Sequence, residues 1–346
     1  MQARRKPDST ILDLSAMLKL SPATISRALN NHPHVQEKTR QKVMDAAEKM
    51  GYRRNTLASG LRNRRTSTIG MIVPRISMFF HAAVITRVQT ELYKQGYKLI
   101  ISQSNDDPAM EKELLWTFYA SRVDAILVAC SLRTTDFSSF SEVIGKGVPV
   151  LFYDRMPPES LRGHIVRGND FEGGYQAGRE LAENGSQRIA HIGGPLTNTI
   201  YRDRRDGFLK ALEENKIKVR KDWILHQELT AENAQEALNK LFSGKVVPDA
   251  IFTANDTTAL AVLEYARANK IAVPKALKIV GYSNDPRSAI IRPSISSVEQ
   301  FPDVVGEKAA ETLLELINEG GDTQKKSLRK KVVLPVELIK RNSSQA

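Results

Sequence analysis

Six short apolar runs are each followed within a few residues by groups able to hold a small molecule. Phe79 and Phe80 come after TIGMIVP, Arg133 after DAILVAC, and Asp154 and Arg155 after PVLFY. Farther on, RIAHIGGPL is followed by Tyr201, Arg202 and Arg204, DAIFTA by Asn255 and Asp256, and LKIVGY by Ser283 and Asn284. Flat aromatic rings beside paired hydrogen-bonding groups suit a small polar ring such as a sugar. A second set stands near the start of the chain. Within Ser21–Asn30, Ile25 and Leu29 are four residues apart and share one helical face, which turns Pro22, Ala23, Ser26 and Arg27 outward.

For the first set to converge, the apolar runs must be parallel strands, because open α/β sheets bind ligands beyond the carboxyl ends of their strands. From Thr68 onward, TIGMIV, YKLIIS, DAILVA, PVLFY, RIAHI, DAIF, LKIVGY and KVVL alternate with helical stretches roughly every 25 to 30 residues, the pattern of parallel α/β structure. Their number suffices for two sheets, and their unbroken apolar character predicts helices on both faces. The segment from Asp206 to Asn215, with Phe208, Leu209 and Leu212, is expected to be one such helix.

The second set needs a short helix held by two neighbours. Thr10 has the character of an N-cap with Asp13 as its capping-box partner, and Ile11, Leu14, Met17 and Leu18 line a helix ending near Lys19. Ser21 and Pro22 then supply the N-cap and N1 of a second helix, whose Ile25 and Leu29 are expected against Leu14 and Leu18. A third helix is predicted from about Gln36 to Met50, with Val43, Ala46, Ala47 and Met50 inward and Gly51 as its stop. Two short helices joined by a tight turn and closed by a third form a helix-turn-helix, whose second helix lies in the DNA major groove. Charge agrees. Residues 1–65 hold 14 Lys/Arg against five Asp/Glu, +9 of the chain's +12, as a polyanion-binding head requires.

Composition narrows the alternatives. At 346 residues, with 41% hydrophobic and 26% charged residues, the chain is too ordinary for a disordered or low-complexity protein and long enough for two or three domains. No run of 18 apolar residues exists, so no membrane span is expected. MQARRKPDST has no apolar stretch behind its basic residues, which predicts no secretory leader, and the single Cys130 permits no internal disulfide, so a cytoplasmic location is expected. No GxSxG, GxxxxGK[ST], HExxH or CxxC pattern appears, and the six histidines lack metal-site spacing; neither an enzyme, nor a cofactor, nor a metal site is expected. A sugar hydrolase or kinase lacks its poised residues here. A free-standing solute-binding protein would lack the basic head.

TILDLSAMLKLSPATISRALNNHPHVQEKTRQKVMDAAEKMGY resembles the N-terminal signature of LacI/GalR transcriptional regulators, and NTLASGLRNRRTSTIGMIVP is similar to that family's hinge helix and first sensor strand. The resemblance implies an all-α helix-turn-helix DNA-binding head and an α/β periplasmic-binding-protein-like body of two parallel-sheet subdomains. The head spans 1–54, the hinge helix and linker 55–67, and the body 68–346. Within the body one subdomain takes about 68–167 and 298–330, the other about 168–297 and 331–346, with crossings near 167, 297 and 330.

By the same resemblance Pro22, Ala23 and Arg27 sit where the family reads bases. Arg27 has the fork to bond guanine O6 and N7, a contact worth about 1–3 kcal/mol of discrimination. Pro22 and Ala23 offer apolar contact, for instance to a thymine methyl. Ser21, Thr24, Ser26, Asn30, His34 and Asn55 are expected at the DNA, the first five as phosphate-positioning groups. Leu61, on the stripe Leu57, Ala58 and Leu61, is the wedge that enters the minor groove, with Arg62 beside it. A paired wedge implies a homodimer on a near-palindromic double-stranded operator. In the body, Arg204 matches an effector-clamping arginine, and Asn255 with Asp256 matches an Asn-Asp pair. Ser283 replaces an acid often present, and Leu229 stands where some members place a stacking aromatic. With Arg133, Arg155, Arg202 and Arg204 near one cleft, an acidic effector, a sugar acid or sugar phosphate, is expected. Effector binding is expected to change operator affinity, most often by releasing a repressor.

Overall fold

The computed structural model describes residues 9–52, 65–157, 161, 163–319 and 329–345. The chain divides into two units, Met1–Thr66 and Ser67–Ala346. The hinge readings on Asn55, Leu57, Ala58, Leu61 and Arg62 lie outside the described residues.

In the first unit, local rules set three helices. Helix α1 (Ile11–Leu18) starts at Thr10, whose hydroxyl accepts from the Asp13 N–H at 3.3 Å while the Asp13 carboxylate accepts from the Thr10 N–H at 2.7 Å. That closes the capping box, and the N–H of Thr10 holds the Asp13 carboxyl below its usual range. Lys19, at φ +53°, ends the helix. In α2 (Pro22–Leu29), the Ser21 hydroxyl accepts from the Thr24 N–H at 3.1 Å and Pro22 occupies N1. Helix α3 (Glu37–Lys49) ends at Met50, and Gly51 takes φ +61°, which lets the Tyr52 N–H reach the Ala47 carbonyl at 2.8 Å; glycine adopts that conformation without strain. Leu14, Ile25, Ala28, Val43, Ala46 and Ala47 form the buried core, with Leu18 and Leu29 packed at its edge.

The second unit holds two six-stranded sheets. The first contains β1 (Thr68–Val73), β2 (Lys98–Gln103), β3 (Ala125–Val128), β4 (Val150–Tyr153), β5 (His164–Gly168) and β11 (Lys331–Leu334), in the order β11-β5-β4-β3-β1-β2 and parallel throughout. The second contains β6 (Ile189–Gly193), β7 (Ile224–His226), β8 (Ala250–Thr253), β9 (Lys278–Tyr282), β10 (Ser296–Glu299) and β12 (Glu337–Ile339), in the order β12-β10-β9-β8-β6-β7. Only β12 in this sheet runs antiparallel to its neighbour.

Both sheets are apolar on two faces, and each face has its own core. Helices α4 (Phe79–Lys94) and α12 (Pro302–Asn318) pack on one face of the first sheet, α5 (Pro108–Ala120) and α6 (Ser138–Gly145) on the other. The second sheet lies between α7 (Asp170–Glu183) with α8 (Thr199–Glu214), and α9 (Ala231–Phe242) with α10 (Asp256–Ala268); α11 (Pro286–Ile290) is a short turn after β9. Helices α7 and α8 touch at glycines: a Cβ on Gly174 would run into the Arg204 carbonyl, and one on Gly207 into that of Phe171.

Three sequence expectations are corrected. The helix expected from Asp206 begins seven residues earlier, capped by Asn198, so Tyr201 and Arg204 are helical residues. Strands β5, β7, β10 and β12 were not foreseen. The chain leaves the first sheet after Gly168, returns after Glu299, and crosses last between Leu334 and Glu337 rather than near 330, because KVVL completes the first sheet.

Candidate functional site

The face of α2 opposite its buried Ile25 and Ala28 exposes Ser21, Pro22, Ala23, Arg27 and Asn30, with Thr24 and Ser26 half-buried and His34 exposed in the following loop. Arg27 takes part in no ion pair among the described residues. Several of the polar groups already have local work. Ser21 caps α2 and lies 2.9 Å from the Thr24 hydroxyl, and the Asn30 amide donates to the Ser26 carbonyl at 2.7 Å. Arg40, by contrast, is tied to Glu37 at 2.6 Å and to the His32 and Val35 carbonyls, which fixes the loop carrying His34.

In the second unit, the expected groups do follow the carboxyl ends of parallel strands, but their side chains are engaged in different ways. Phe79 opens α4 and is half-buried; Phe80 turns into the core of the first sheet. Asp154 and Arg155 follow β4. Arg155, 2% exposed, donates to Asp106 at 2.5 Å and to the Cys130 carbonyl at 3.4 Å, leaving its Nε buried without a partner. Asp154, held at φ +56° and buried, has no hydrogen bond or ion pair to its carboxylate among the described residues. An ionised carboxylate only accepts, so this group is available to a ligand that donates.

On the second sheet's side, Tyr201 and Arg204 lie on α8 and are buried. Arg204 is fully committed: Nε donates to Asp170 at 2.8 Å, Nη1 to the Ala254 carbonyl at 2.9 Å, and the guanidinium stands 3.7 Å from the Tyr282 ring centroid. Burial is the largest influence and opposes its charge, but Asp170, Tyr282, Asp154 and Tyr201 together overcome it and raise the pKa. Asp170 also pairs with Arg167 at 3.3 Å, which in turn meets Asp203. Burial nevertheless leaves the Asp170 carboxyl raised, with Arg204 and Arg167 pulling it back. The Asn255 side chain caps α10 and donates to the Leu229 carbonyl at 3.1 Å.

Asp256 does not serve as a ligand-facing acid. Its carboxylate accepts from the Asp285 N–H at 2.6 Å and the Ser297 hydroxyl at 2.7 Å inside the second sheet's packing, and burial pushes its pKa up to about 7. Ser283 donates to Gln300 at 3.0 Å. Arg202 is exposed.

The two walls of the cleft touch. Leu132 packs on Ile200, Tyr201 and Ala254, with Leu229 beside them, and the Thr197 hydroxyl donates to the Leu132 carbonyl at 3.3 Å. Arg75 and Arg133 from the first wall both reach Glu228 on the second. Arginines expected to attract an acid are thus already paired: Arg133 with Glu228, Arg155 with Asp106, and Arg204 with Asp170. Asp106, Asp170, Arg167 and Glu228 were missed in the sequence. Arg167 and Asp170, three residues apart at a strand's end, were the available signal. A separate pocket of about 740 Å³ is lined by Phe171 of α7, Leu209 of α8, and Ile224 and His226 of β7. Among the described residues no helix is long and apolar enough to cross a membrane, and no three or more His, Cys, Asp or Glu groups are arranged to hold a metal.

Residues 10–55 match the family of bacterial regulatory proteins, lacI family, and residues 179–344 match the periplasmic binding protein-like domain. The chain is 30% identical over 341 residues to the HTH-type transcriptional repressor PurR of Mannheimia succiniciproducens, covering 97% of this chain and 98% of that protein. It is 32% identical to PurR of Actinobacillus pleuropneumoniae serotype 5b, covering 89% and 91%. Among solved structures, the lac repressor dimer bound to operator and the anti-inducer ONPF aligns with a TM-score of 0.85 at 23% identity, over 98% of this chain and all of that one. A complex of the transcriptional regulator CelR with cellobiose aligns at 0.72 with 26% identity, over 97% and 99%. Relatedness of this extent, carried over both units, makes the chain a DNA-binding transcriptional repressor of the lacI family of bacterial regulatory proteins.

Proposed function

We propose that the exposed face of α2 reads a near-palindromic operator as part of a homodimer, and that an uncharged, hydrogen-bond-donating ring in the cleft controls that grip. Asp154 carries the effector reading: its carboxylate, on a buried residue near Tyr201, Arg155 and Arg204, has no hydrogen bond among the described residues and favours a ligand whose hydroxyl or N–H groups donate to it. The paired state of Arg133, Arg155 and Arg204 removes the electrostatic motive for a sugar acid or phosphate. A neutral sugar is the first choice, in keeping with the cellobiose complex of the CelR structure. A second choice is a planar nitrogen heterocycle such as a purine base, favoured by the half-buried ring of Phe79 and the ring of Tyr201, and in keeping with the name PurR borne by full-length relatives.

A thermal-shift screen of neutral sugars, purines, uronates and sugar phosphates tests the effector class. The expected result is stabilisation by a neutral donor ring and its loss in Asp154→Asn; stabilisation by acids alone would contradict it. On the DNA side, Arg27→Ala should lower preference for the cognate operator by about 1–3 kcal/mol while leaving general duplex affinity nearly intact, measured by fluorescence anisotropy.

A further inference from the structure

Five alternating charges join the two walls, with four on the first and one on the second. Arg155 pairs with Asp106 at 2.5 Å, Asp106 with Arg75 at 3.4 Å, Arg75 with Glu228 at 3.1 Å, and Glu228 with Arg133 at 3.4 Å. Asp106 is placed by a turn in which it and Asn105 both take left-handed φ, +59° and +57°, and it also accepts from the Leu132 N–H at 3.1 Å. Glu228 is the one member from the second sheet's side, and it sits in the short segment between β7 and α9. The Asn233 amide donates to its carbonyl at 2.9 Å, so the backbone that presents it is fixed.

We propose that Glu228 is the tongue of an electrostatic latch, received by Arg75 and Arg133, which holds the two subdomains of the body closed without any ligand. The latch deepens the reading above, since it sets how readily the cleft admits an effector, but its existence does not depend on that reading. Exposed ion pairs are individually weak. Here one carboxylate is shared by two arginines of the opposite wall, and Asp106 orients Arg75 while pinning the buried Arg155, so loss of Glu228 releases both cross-wall contacts together. The Leu132 contacts with Ile200, Tyr201 and Ala254 then still join the walls. Because Arg75 and Arg133 are 44% and 75% exposed at their side chains, salt reaches the latch and screens it.

The test needs neither DNA nor effector. Spin labels at Lys112→Cys on α5 and Glu232→Cys on α9, both exposed, report the distance between the subdomains in the full chain; native Cys130 is buried. At about 0.05 M NaCl the otherwise native protein should give a short, narrow distance distribution that lengthens and broadens at about 0.5 M. Glu228→Gln should give the long, broad distribution at both salts, and Arg75→Gln an intermediate one. Distributions for Glu228→Gln that match the parent at both salts would overturn the latch. A parent that fails to bind any duplex would instead overturn the proposed function and leave the latch standing.

Discussion

The head exposes most of the side chains with which it is expected to act; the body buries Asp154, Arg155, Tyr201 and Arg204 among its own. On α2, Arg27 is exposed and unpaired among the described residues, whereas Arg204 in the body is 3% exposed and held by Asp170, the Ala254 carbonyl and Tyr282. A small three-helix unit has too little interior to bury charges, and its recognition groups need only be presented. A two-sheet body can bury them, and here it pairs the buried arginines Arg155 and Arg204 with Asp106 and Asp170. The same residue type therefore means a contact in one region and a structural pair in the other.

That difference breaks first at Arg204. Its removal takes from the buried Asp170 carboxylate its nearest cation and leaves it only Arg167 and the Tyr282 hydroxyl, both at 3.3 Å, so Arg204→Ala should destabilise the body by about 3 kcal/mol and leave the head's stability unchanged. Trp116 and Trp223 both lie in the body and none in residues 1–66, so tryptophan fluorescence in urea follows the body alone. An unchanged midpoint would show that the pair contributes nothing.

Acid should act on the body as well. Burial holds His81 and His191 down at about 3, against 6.5 when unfolded. Their neutral rings therefore contribute stability above pH 6.5 that is lost as pH falls toward 3. Asp256, raised to about 7, works oppositely: its protonated form favours the fold, and that contribution fades as pH rises from about 4 to 7. His191 stacks on Phe252 and packs near Phe208. His191→Phe should keep the stacking and flatten the loss of stability between pH 6.5 and 3 by a few kcal/mol relative to the parent, a difference from which Asp256 cancels. Equal pH profiles would contradict this.

Smaller effects separate the regions further. Gly174→Ala should cost the body about 1–3 kcal/mol by forcing α7 from α8, read again from the urea midpoint. Thr10→Ala should cost the head about 1 kcal/mol through its lost cap, read by circular dichroism on residues 1–66 and on the whole chain.

The same contrast explains what the sequence disclosed. Thr10 with Asp13, Ser21 with Pro22, and Gly51 are local signals, and the head's three helices followed from them. In the body, the apolar runs gave eight strands at once. The four missed are short or polar: β10 reads SSVE, yet Ser296 and Ser297 are fully buried, because Arg341 and Ser344 satisfy one hydroxyl and Asp256 the other. A strand whose polarity is met by partners 41 to 48 residues away leaves no local trace. The cleft residues were found for the same reason that strand ends could be found. Their roles were not, since Asp170, Asp106 and Glu228 reach them only through the tertiary fold.

Linkage offers the most direct test of an effector-controlled operator grip. With a ligand identified by thermal shift, anisotropy gives the operator Kd with and without it, and calorimetry gives the ligand Kd with and without operator. Salt-dependent duplex binding is expected, with two ratios that are equal and differ from one, a coupling of about 1–3 kcal/mol. Duplex affinity that stays the same at saturating ligand, or no salt-dependent duplex binding at all, would contradict it.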